Sequence, residues 1–161
     1  MRRLLLSAIG ISLLSLLLAA CGMAGRKEED RPLADLTQRD GGEGGVTVEA
    51  TWVTRQHAGT DGIASRLERY PLDRYVAFHL KLDTHSVDLN QYDLTDAATL
   101  SVDGGAPQSA TAWVALGDDS HHREGLLIFA RKEGASRVEL TVIGVAGVPQ
   151  RVLRWAPPPA E

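Results

Sequence analysis

The feature that most constrains the fold of this chain is an alternation of apolar and polar side chains with a period of two, which begins at Val46. Such alternation is typical of a β-strand with one buried face. A continuous apolar run at 126–130 indicates a more deeply buried strand. In all, the pattern predicts seven short strands, at 46–53, 75–82, 99–103, 113–115, 126–130, 138–142 and 152–155.

The segments between the later strands carry turn-forming glycines, at 104, 117, 134 and 144. No amphipathic helical pattern interrupts the strands, although residues 60–70 have room for one helical turn. We therefore predict an all-β domain over 46–156, an immunoglobulin-like antiparallel β-sandwich of about seven strands. The Cys–Trp–Cys signature of antibody domains is missing from the sequence. Three prolines at 157–159 end strand pairing, so residues 157–161 are expected to be a disordered tail.

The first twenty residues are typical of a signal peptide. Arg2 and Arg3 form a basic start, and the apolar run Leu4–Leu18 is 15 residues long, which is short for a spanning helix. The run ends in Leu-Ala-Ala-Cys-Gly at 18–22, and small residues before Cys21 resemble a bacterial lipobox. The resemblance implies cleavage before Cys21 and lipidation of its thiol, palmitate included. An ordinary signal peptide or a single-pass anchor is the alternative.

Residues 21–45 are predicted to be the lipidated cysteine and a flexible tether. Charged residues fill 26–31 and glycines fill much of 41–45, with too few large apolar side chains to build a core. A short helix at 33–38 is the alternative, but an isolated helix of that length is unstable in water.

Charge and cysteine content exclude several functions. The chain of 161 residues has 17 basic and 21 acidic side chains, a net charge of −4, which argues against nucleic acid as a partner. A single cysteine excludes an internal disulfide and a cysteine-cluster metal site. Once Cys21 is lipidated, no free thiol is left for catalysis.

The unusual polar residues are expected at one end of the sandwich. Consecutive antiparallel strands alternate in direction, so the loops 84–96, 117–124 and 144–148, with the entry from the tether, should share one end. The loops 54–74, 104–110 and 132–136 should share the other. Two of the first three loops carry His85, His121 and His122.

Three segments resemble a group of small exported bacterial domains. They are Asp-Thr-His-Ser-Val-Asp-Leu at 83–89, His-His-Arg-Glu-Gly at 121–125 and Gly-Val-Pro at 147–149. The likeness covers 46–155, and the group is largely uncharacterised. It implies only that His85, His121, His122 and Arg123 matter.

Two interpretations of these residues are open. Imidazoles suit Zn²⁺ or Cu²⁺, so His85 with His121 or His122, and Asp83 or Asp88, would form a metal site. Adjacent histidines in an extended segment point in opposite directions, so only one of the pair would join His85. The interpretation we favour is a hydrogen-bonded network that ties two loops together, formed by Asp83, His85, Asp88 and Arg123.

Calcium and catalysis have less support in the sequence. Asp83, Asp88, Asp93 and Asp96 offer oxygen ligands for Ca²⁺, but their spacing does not match an EF-hand loop. Ser86 and Ser120 stand beside histidines without a Gly-x-Ser-x-Gly motif, so no enzyme activity is expected.

The remaining histidines are predicted to lie outside this cluster. His79 falls on the polar side of its strand and should be solvated, and His57 lies in a loop at the opposite end.

The sequence therefore predicts a lipid-anchored protein of the bacterial cell envelope, outside the cytoplasm, in the periplasm or on the cell surface. Its sandwich would be a non-catalytic binding or scaffolding module without a cofactor. The expected partners are the membrane, through the lipid, and another envelope protein, met across an exposed strand edge. The alternative is binding of Zn²⁺ or Cu²⁺ through His85 with His121 or His122.

Overall fold

The computed structural model describes residues 32–60 and 62–156, which form nine strands in two antiparallel sheets. The strands are β1 Thr37–Arg39, β2 Val46–Trp52, β3 Tyr75–Thr84, β4 Ala98–Val102, β5 Gln108–Ser109, β6 Ala112–Asp118, β7 His122–Ala130, β8 Val138–Ile143 and β9 Gln150–Trp155. Two short helices are α1 Leu33–Leu36 and α2 Arg55–Thr60. Single 3₁₀ turns lie at Glu43–Gly45, Ala64–Leu67, Leu89–Gln91 and Val145–Gly147. The predicted signal peptide, Cys21 and the tail 157–161 lie outside the described residues.

The first sheet has the order β1-β2-β3-β7-β6 and the second the order β5-β4-β8-β9. The chain crosses between the sheets after β3, β5 and β7, which is the Greek-key connection of an immunoglobulin-like sandwich. The predicted all-β sandwich is confirmed, and all seven predicted strands are present. The two additional strands are β1 and β5, with three and two residues.

The inner core lies between the two sheets. It is built from the apolar positions of the alternation, which place Val48, Trp52, Phe78 and Leu80 on one face of the first sheet. Trp155 of β9 meets Phe78 from the other sheet, with ring centroids 4.9 Å apart. Burial of these side chains is the main stabilising term of the fold.

A second, outer core covers the opposite face of the first sheet. The segment 53–74 packs Ile63, Leu67 and Leu72 against Leu126 and Ile128 of β7. We call this segment the cover. The sequence predicts a loop there with room for one helical turn at 60–70, and the structure has the 3₁₀ turn Ala64–Leu67 in that stretch. The apolar side chains at both faces of β7 need burial on both sides.

The predicted tether is shorter than its sequence boundaries suggest. Residues 33–45 belong to the sandwich, because β1 pairs with β2 and Leu36 is buried in the inner core. The indole Nε1 of Trp155 donates a hydrogen bond of 2.8 Å to the carbonyl of Leu36. Among residues 32–60 and 62–156, no helix has the length and apolar character needed to span a membrane.

Candidate functional site

The predicted gathering of the three loops at one end of the sandwich is confirmed by hydrogen bonds between them. The amide of Thr84 donates to the carbonyl of His121 at 3.0 Å, and that of Leu89 donates to Ser120 at 2.7 Å. From the second sheet, the amide of Ala146 donates to the Tyr92 hydroxyl at 2.9 Å. We call the end formed by 40–45, 85–97, 118–121 and 144–149 the loop end.

The prediction that the tether enters at the loop end was wrong. The additional strand β1 runs antiparallel to β2, with Thr37 opposite Thr51, so Leu33–Leu36 lies at the other end of the sandwich. Strand β9 also finishes there, at Trp155. We call this opposite end the entry end.

Arg123 is the centre of the polar network at the loop end. It lies on the inner side of β7 and is buried, although Arg is rarely buried without partners. Its Nη1 donates to the carbonyls of Leu89 at 3.0 Å and Tyr92 at 2.6 Å. Its guanidinium carbon lies 5.6 Å from the ring centroid of Trp113, and its Nε lies 3.5 Å from an Asp118 carboxylate oxygen. The network therefore holds the 3₁₀ turn after β3 against the start of β7.

The network predicted from Asp83, His85, Asp88 and Arg123 is not the one that the structure forms, and exposed His85 has no part in the contacts of Arg123. Arg123 takes part as expected, but Asp118 and two carbonyls replace Asp83 and Asp88 as its partners. Asp88 instead accepts a hydrogen bond from the amide of Asn90 and starts the 3₁₀ turn. Asp83 pairs with the imidazole Nδ1 of His122 at 2.8 Å, on the outer face of the sheet and in solvent.

The predicted metal site gains no support from the geometry. His85 and His121 are both exposed, and the imidazole Nδ1 of His122 is hydrogen-bonded to Asp83. Within residues 32–60 and 62–156, no group of three or more histidine, cysteine, aspartate or glutamate side chains is arranged to hold a metal ion. Asp93, one of the four carboxylates considered for calcium, accepts from the amide of Thr95 and forms a turn.

The loop 118–121 is held by its own aspartate. The amide of His121 donates to an Asp119 carboxylate oxygen at 2.8 Å, and this hydrogen bond lowers the pKa of Asp119. The nearby charges of His122 and His121 act in the same direction. The carboxylate is exposed and stays ionised at neutral pH, so the tip of this loop is negatively charged.

A buried ion pair that the sequence does not predict lies near the loop end. Arg151 of β9 is buried and forms a salt bridge with Asp40 through its Nε. Its two Nη atoms donate to the carbonyls of Val145 and Glu43, both at 2.7 Å. The only signal in the sequence is the position of this arginine on the apolar side of β9, in step with Leu153 and Trp155.

The prediction that His79 is solvated was wrong. His79 is buried, because the cover lies over its face of β3. Its Nε2 lies 2.6 Å from a carboxylate oxygen of Glu124, and its ring meets that of His57 at a centroid distance of 5.8 Å. The His79–Glu124 pair lies between the outer core and exposed charged side chains on the same face of the sheet. One of these is Lys81, whose Nζ lies 3.4 Å from a carboxylate oxygen of Glu124.

Among the described strands, β6 lies at an edge of the first sheet that differs from the other sheet edges. Residues 112–117 are all half-buried, and their side chains are apolar up to Gly117. Trp113 packs against the inner core, and Val114 and Leu116 pack against the outer core. No lysine or proline protects the strand, and its one bulge lies between Ala115 and Gly117.

The other three edges of the described sheets are less suited to pairing. β1 has three polar residues and β5 has two residues in all. β9 follows Pro149 and carries exposed Gln150 and Arg154. β6 is therefore the one long apolar edge among the described strands.

Comparison with known proteins finds no match: no family model, no curated protein and no solved structure matches the chain. The resemblance of residues 46–155 to small exported bacterial domains stays a prediction.

Proposed function

We propose that this chain is a lipoprotein of the bacterial cell envelope, anchored through Cys21, whose β-sandwich binds another envelope protein without catalysing a reaction. The support for the anchor is the sequence of residues 1–22, in which a basic start, an apolar run and Leu-Ala-Ala-Cys-Gly follow one another in the order of a lipoprotein signal. Two or more acyl chains hold a protein stably on a bilayer, whereas one chain does so only marginally.

The anchor is tested by intact-mass and peptide mass spectrometry of the full chain isolated from membranes. We expect a mature chain that starts at Cys21 and carries acyl groups there. The Cys21→Ala variant should lose the acyl groups and leave the membrane fraction. Unmodified Cys21 in the wild-type protein would refute the anchor.

The edge of β6 is the observation that carries the binding function. A partner strand laid beside 112–116 would continue the first sheet and cover Trp113, Val114 and Leu116 from water. Because Asp118 and Asp119 end this edge with negative charge, the best occupant is an extended apolar segment of another protein, with a basic residue beside these aspartates.

The histidines and Arg123 support a structural role for the loop end in this function. Arg123 uses its guanidinium for two backbone carbonyls and His122 is paired with Asp83. Contacts of this kind hold loops in place. The binding function is therefore assigned to the edge of β6 and not to these residues.

The binding function is tested in intact cells by a photo-crosslinking amino acid at position 114, with the same residue at exposed Ile143 as the matched control. We expect a discrete adduct from 114 and none from 143. Mapping of the adduct should identify an extended segment of one protein, and Leu116→Lys, which adds charge beside the edge, should abolish the adduct. An adduct with twice the mass of the chain would show a second copy on this edge and overturn the proposed partner. Equal crosslinking from both positions would overturn the use of β6.

A further inference from the structure

The edge strand β6 belongs to both cores of the sandwich. Its residues 112–116 are Ala-Trp-Val-Ala-Leu, a run without a polar side chain. Trp113 packs against the inner core, whereas Ala112, Val114 and Leu116 pack against the outer core. All five residues are only half-buried. Both cores therefore reach the edge of the first sheet, and neither is fully shielded from water there.

The neighbouring strand β7 shows which side chains a strand between the two cores carries. Its Leu127 and Phe129 lie in the inner core, and its Leu126 and Ile128 lie in the outer core. All four side chains are 0% exposed. Apolar residues therefore follow one another along β7 without alternation, as expected of a strand that is buried on both faces.

On the inner side of β6, the indole of Trp113 is directed toward β7 and not across the edge of the sheet. A Cβ built on Gly125 of β7 would lie 2.5 Å from Cζ2 and 2.6 Å from Cη2 of this indole. The guanidinium carbon of Arg123, also in β7, lies 5.6 Å from the ring centroid. In the second sheet, the edge strand β5 has two residues and is joined to β6 by residues 110 and 111 alone. A strand beside β6 would thus place its inner side chains next to the half-buried indole.

On the outer side, the core continues from the cover across β7 onto β6. Ala112 lies opposite Ile128, and Val114 lies opposite Leu126. These two side chains of β7 are buried together with the apolar side chains of the cover. Side chains that lie opposite each other on adjacent strands and on the same face of a sheet contact each other. The outer side chains of a strand added beside β6 would therefore extend the outer core.

We propose that the segment which pairs with β6 is apolar on both of its faces and completes both cores, with a run of consecutive apolar residues about as long as 112–116. The proposal rests on the proposed binding function and specifies the chemistry of its partner. A segment in which polar and apolar residues alternate would bury polar side chains against either Trp113 or Val114, where they lack hydrogen-bond partners. Antiparallel strands with one face in water alternate in this way. The partner therefore offers a segment whose two faces both need burial.

Charge distinguishes this partner from a second copy of the chain. β6 itself is apolar on both faces, but residues 108–112 around its start are Gln-Ser-Ala-Thr-Ala and carry no charge. Antiparallel pairing of two β6 strands around Val114 would place these uncharged residues beside Asp118 and Asp119. A partner segment with a basic residue at the end of its apolar run would instead pair with these carboxylates, of which Asp119 has a lowered pKa and is ionised at neutral pH.

Occupation of the edge should also stabilise the cover. The cover and the added strand would share the outer core, so the closed cover offers contacts that an opened cover lacks. A ligand that binds the closed state more tightly stabilises that state against opening, by thermodynamic linkage. Hydrogen exchange at Ala58 and Tyr70, whose amides donate to carbonyls within the cover, reports on this opening.

Two peptides of identical composition test the inference on the full lipidated chain in phosphatidylcholine vesicles. In one peptide the four apolar residues are consecutive, Lys-Thr-Val-Ile-Val-Val-Thr-Thr-Lys. In the other they alternate with threonine, Lys-Val-Thr-Ile-Thr-Val-Thr-Val-Lys. We expect fluorescence anisotropy of the labelled peptides, corrected with vesicles that lack the protein, to show several-fold tighter binding of the consecutive peptide. Its binding should also slow hydrogen exchange at Ala58 and Tyr70. Equal affinities, tighter binding of the alternating peptide, or no binding of either would overturn the inference.

Two controls test whether the peptide binds at the edge of β6. N-methyl groups on its apolar residues keep the side chains but remove the amide donors of a strand, so the methylated peptide should not bind. In the protein, Leu116→Lys should abolish binding, whereas Ile143→Lys, at an exposed apolar residue of β8, should leave it unchanged. Binding that survives both N-methylation and Leu116→Lys would overturn the inference.

The crosslink from position 114 in cells distinguishes failure of this inference from failure of the proposed function. An adduct whose partner segment alternates would refute the two-faced apolar segment and leave the proposed function intact. Absence of any adduct would refute the proposed function. Association of two copies of the chain without peptide, measured by analytical ultracentrifugation in detergent, would place a second copy on the edge and overturn the inference.

Discussion

Arg123 shows how one buried cation determines the shape of a whole loop. Its two hydrogen bonds to Leu89 and Tyr92 hold the chain after β3 against the start of β7. Lysine keeps the charge, but its single ammonium cannot take the positions of both Nη1, which donates the two hydrogen bonds, and Nε, which faces Asp118. Hydrogen bonds from a charged group contribute about 1.5–3 kcal/mol each, so Arg123→Lys should lower the free energy of unfolding by about 2 kcal/mol.

Urea denaturation monitored by tryptophan fluorescence measures this loss. The control is Arg137→Lys, an exposed position where we expect a change within about 0.5 kcal/mol. Equal effects from both variants would show that the buried network does not stabilise the loop end.

Asp40 is expected to contribute more to stability than its position in the turn after β1 suggests. It is the carboxylate partner of buried Arg151, and its Oδ1 also accepts from the amide of Val48 at 2.9 Å. Asp40→Asn leaves a buried cation without a compensating charge, which costs about 3–5 kcal/mol. Thermal unfolding of this variant should show a much larger loss than that of Asp35→Asn, an exposed carboxylate in α1. Similar melting temperatures for the two variants would contradict the role of the ion pair.

Asp103 gives the domain a pH dependence at the entry end. The hydroxyl of Ser136 donates to Asp103 at 2.7 Å and the amide of Arg137 at 2.8 Å, and these bonds lower the pKa of Asp103 below its ordinary value of 3.8. Because the folded pKa lies below the unfolded one, the stabilisation is present above pH 3.8. It is lost as the pH falls through the folded pKa.

Ser136→Ala removes the largest cause of this shift. We expect the pKa of Asp103 in the variant to rise toward 3.8, as measured by NMR titration of the carboxyl carbon. The stability difference from the wild-type protein should be present at neutral pH and shrink below pH 3.8. Ser65→Ala, which is far from this turn in the chain, should leave the titration of Asp103 unchanged; an unchanged titration in Ser136→Ala would disprove the assignment.

Gly125 shows why β6 and β7 approach so closely at the edge of the first sheet. A Cβ at this position would lie 2.5 Å from Cζ2 of Trp113 and 2.7 Å from the carbonyl oxygen of Val114. Neither neighbour is the end of a flexible side chain. Gly125→Ala should therefore destabilise the protein by about 1–3 kcal/mol and displace the indole of Trp113.

Denaturation and the tryptophan emission spectrum measure both effects. The matched control is Gly117→Ala on the neighbouring strand, where a Cβ would meet nothing closer than 3.9 Å. Combining Gly125→Ala with Trp113→Leu should restore part of the stability, since the indole contacts are removed and the carbonyl contact is not. A stable single variant with unchanged emission would contradict the close approach.

The same elements show how far the sequence predicts this fold. Alternation identifies β2 and β3 because each is long enough to show its period, with seven and ten residues. It misses β1, whose three polar residues have no period to detect. Because β1 was not predicted, the chain was expected to enter the sandwich at the start of β2, which lies at the loop end. β1 runs antiparallel to β2, so the chain enters at the opposite end.

The sequence was enough to predict which loops meet at the loop end. It was not enough to predict which side chains and carbonyls contact one another there. Antiparallel order alone brings His122 and the 85–97 loop to the same end. It cannot show that Arg123 turns inward to two carbonyls, or that the cover buries His79, because both depend on tertiary packing of segments that read as loops. The edge of β6 was likewise visible only once the partners of each strand were known.

At the scale of the whole molecule, the inner and outer cores share the first sheet but differ in the backbone hydrogen bonds of the segments around them. β3 and β7 pair over nine residues, from Tyr75 with Ala130 to Asp83 with His122. The cover has isolated turn hydrogen bonds instead, from Ala58 to Thr54 at 2.9 Å and from Tyr70 to Leu67 at 2.8 Å. Its six-residue α2 is too short to be stable alone, so the cover depends on the burial of its apolar side chains.

This difference predicts two levels of hydrogen exchange in the native protein. The amides of Ala58 and Tyr70 should exchange through local opening of the cover, with rates that low urea barely changes, whereas the paired amides of β3 and β7 should exchange only on global unfolding. Ile63→Ala weakens the outer core and should speed exchange in the cover far more than in β3. Leu80→Ala, in the inner core, should speed exchange in both regions, since it lowers the stability of the whole sandwich. If the cover and β3 exchange at one rate in the wild-type protein and respond alike to both substitutions, the two cores form a single cooperative unit and the cover does not open independently.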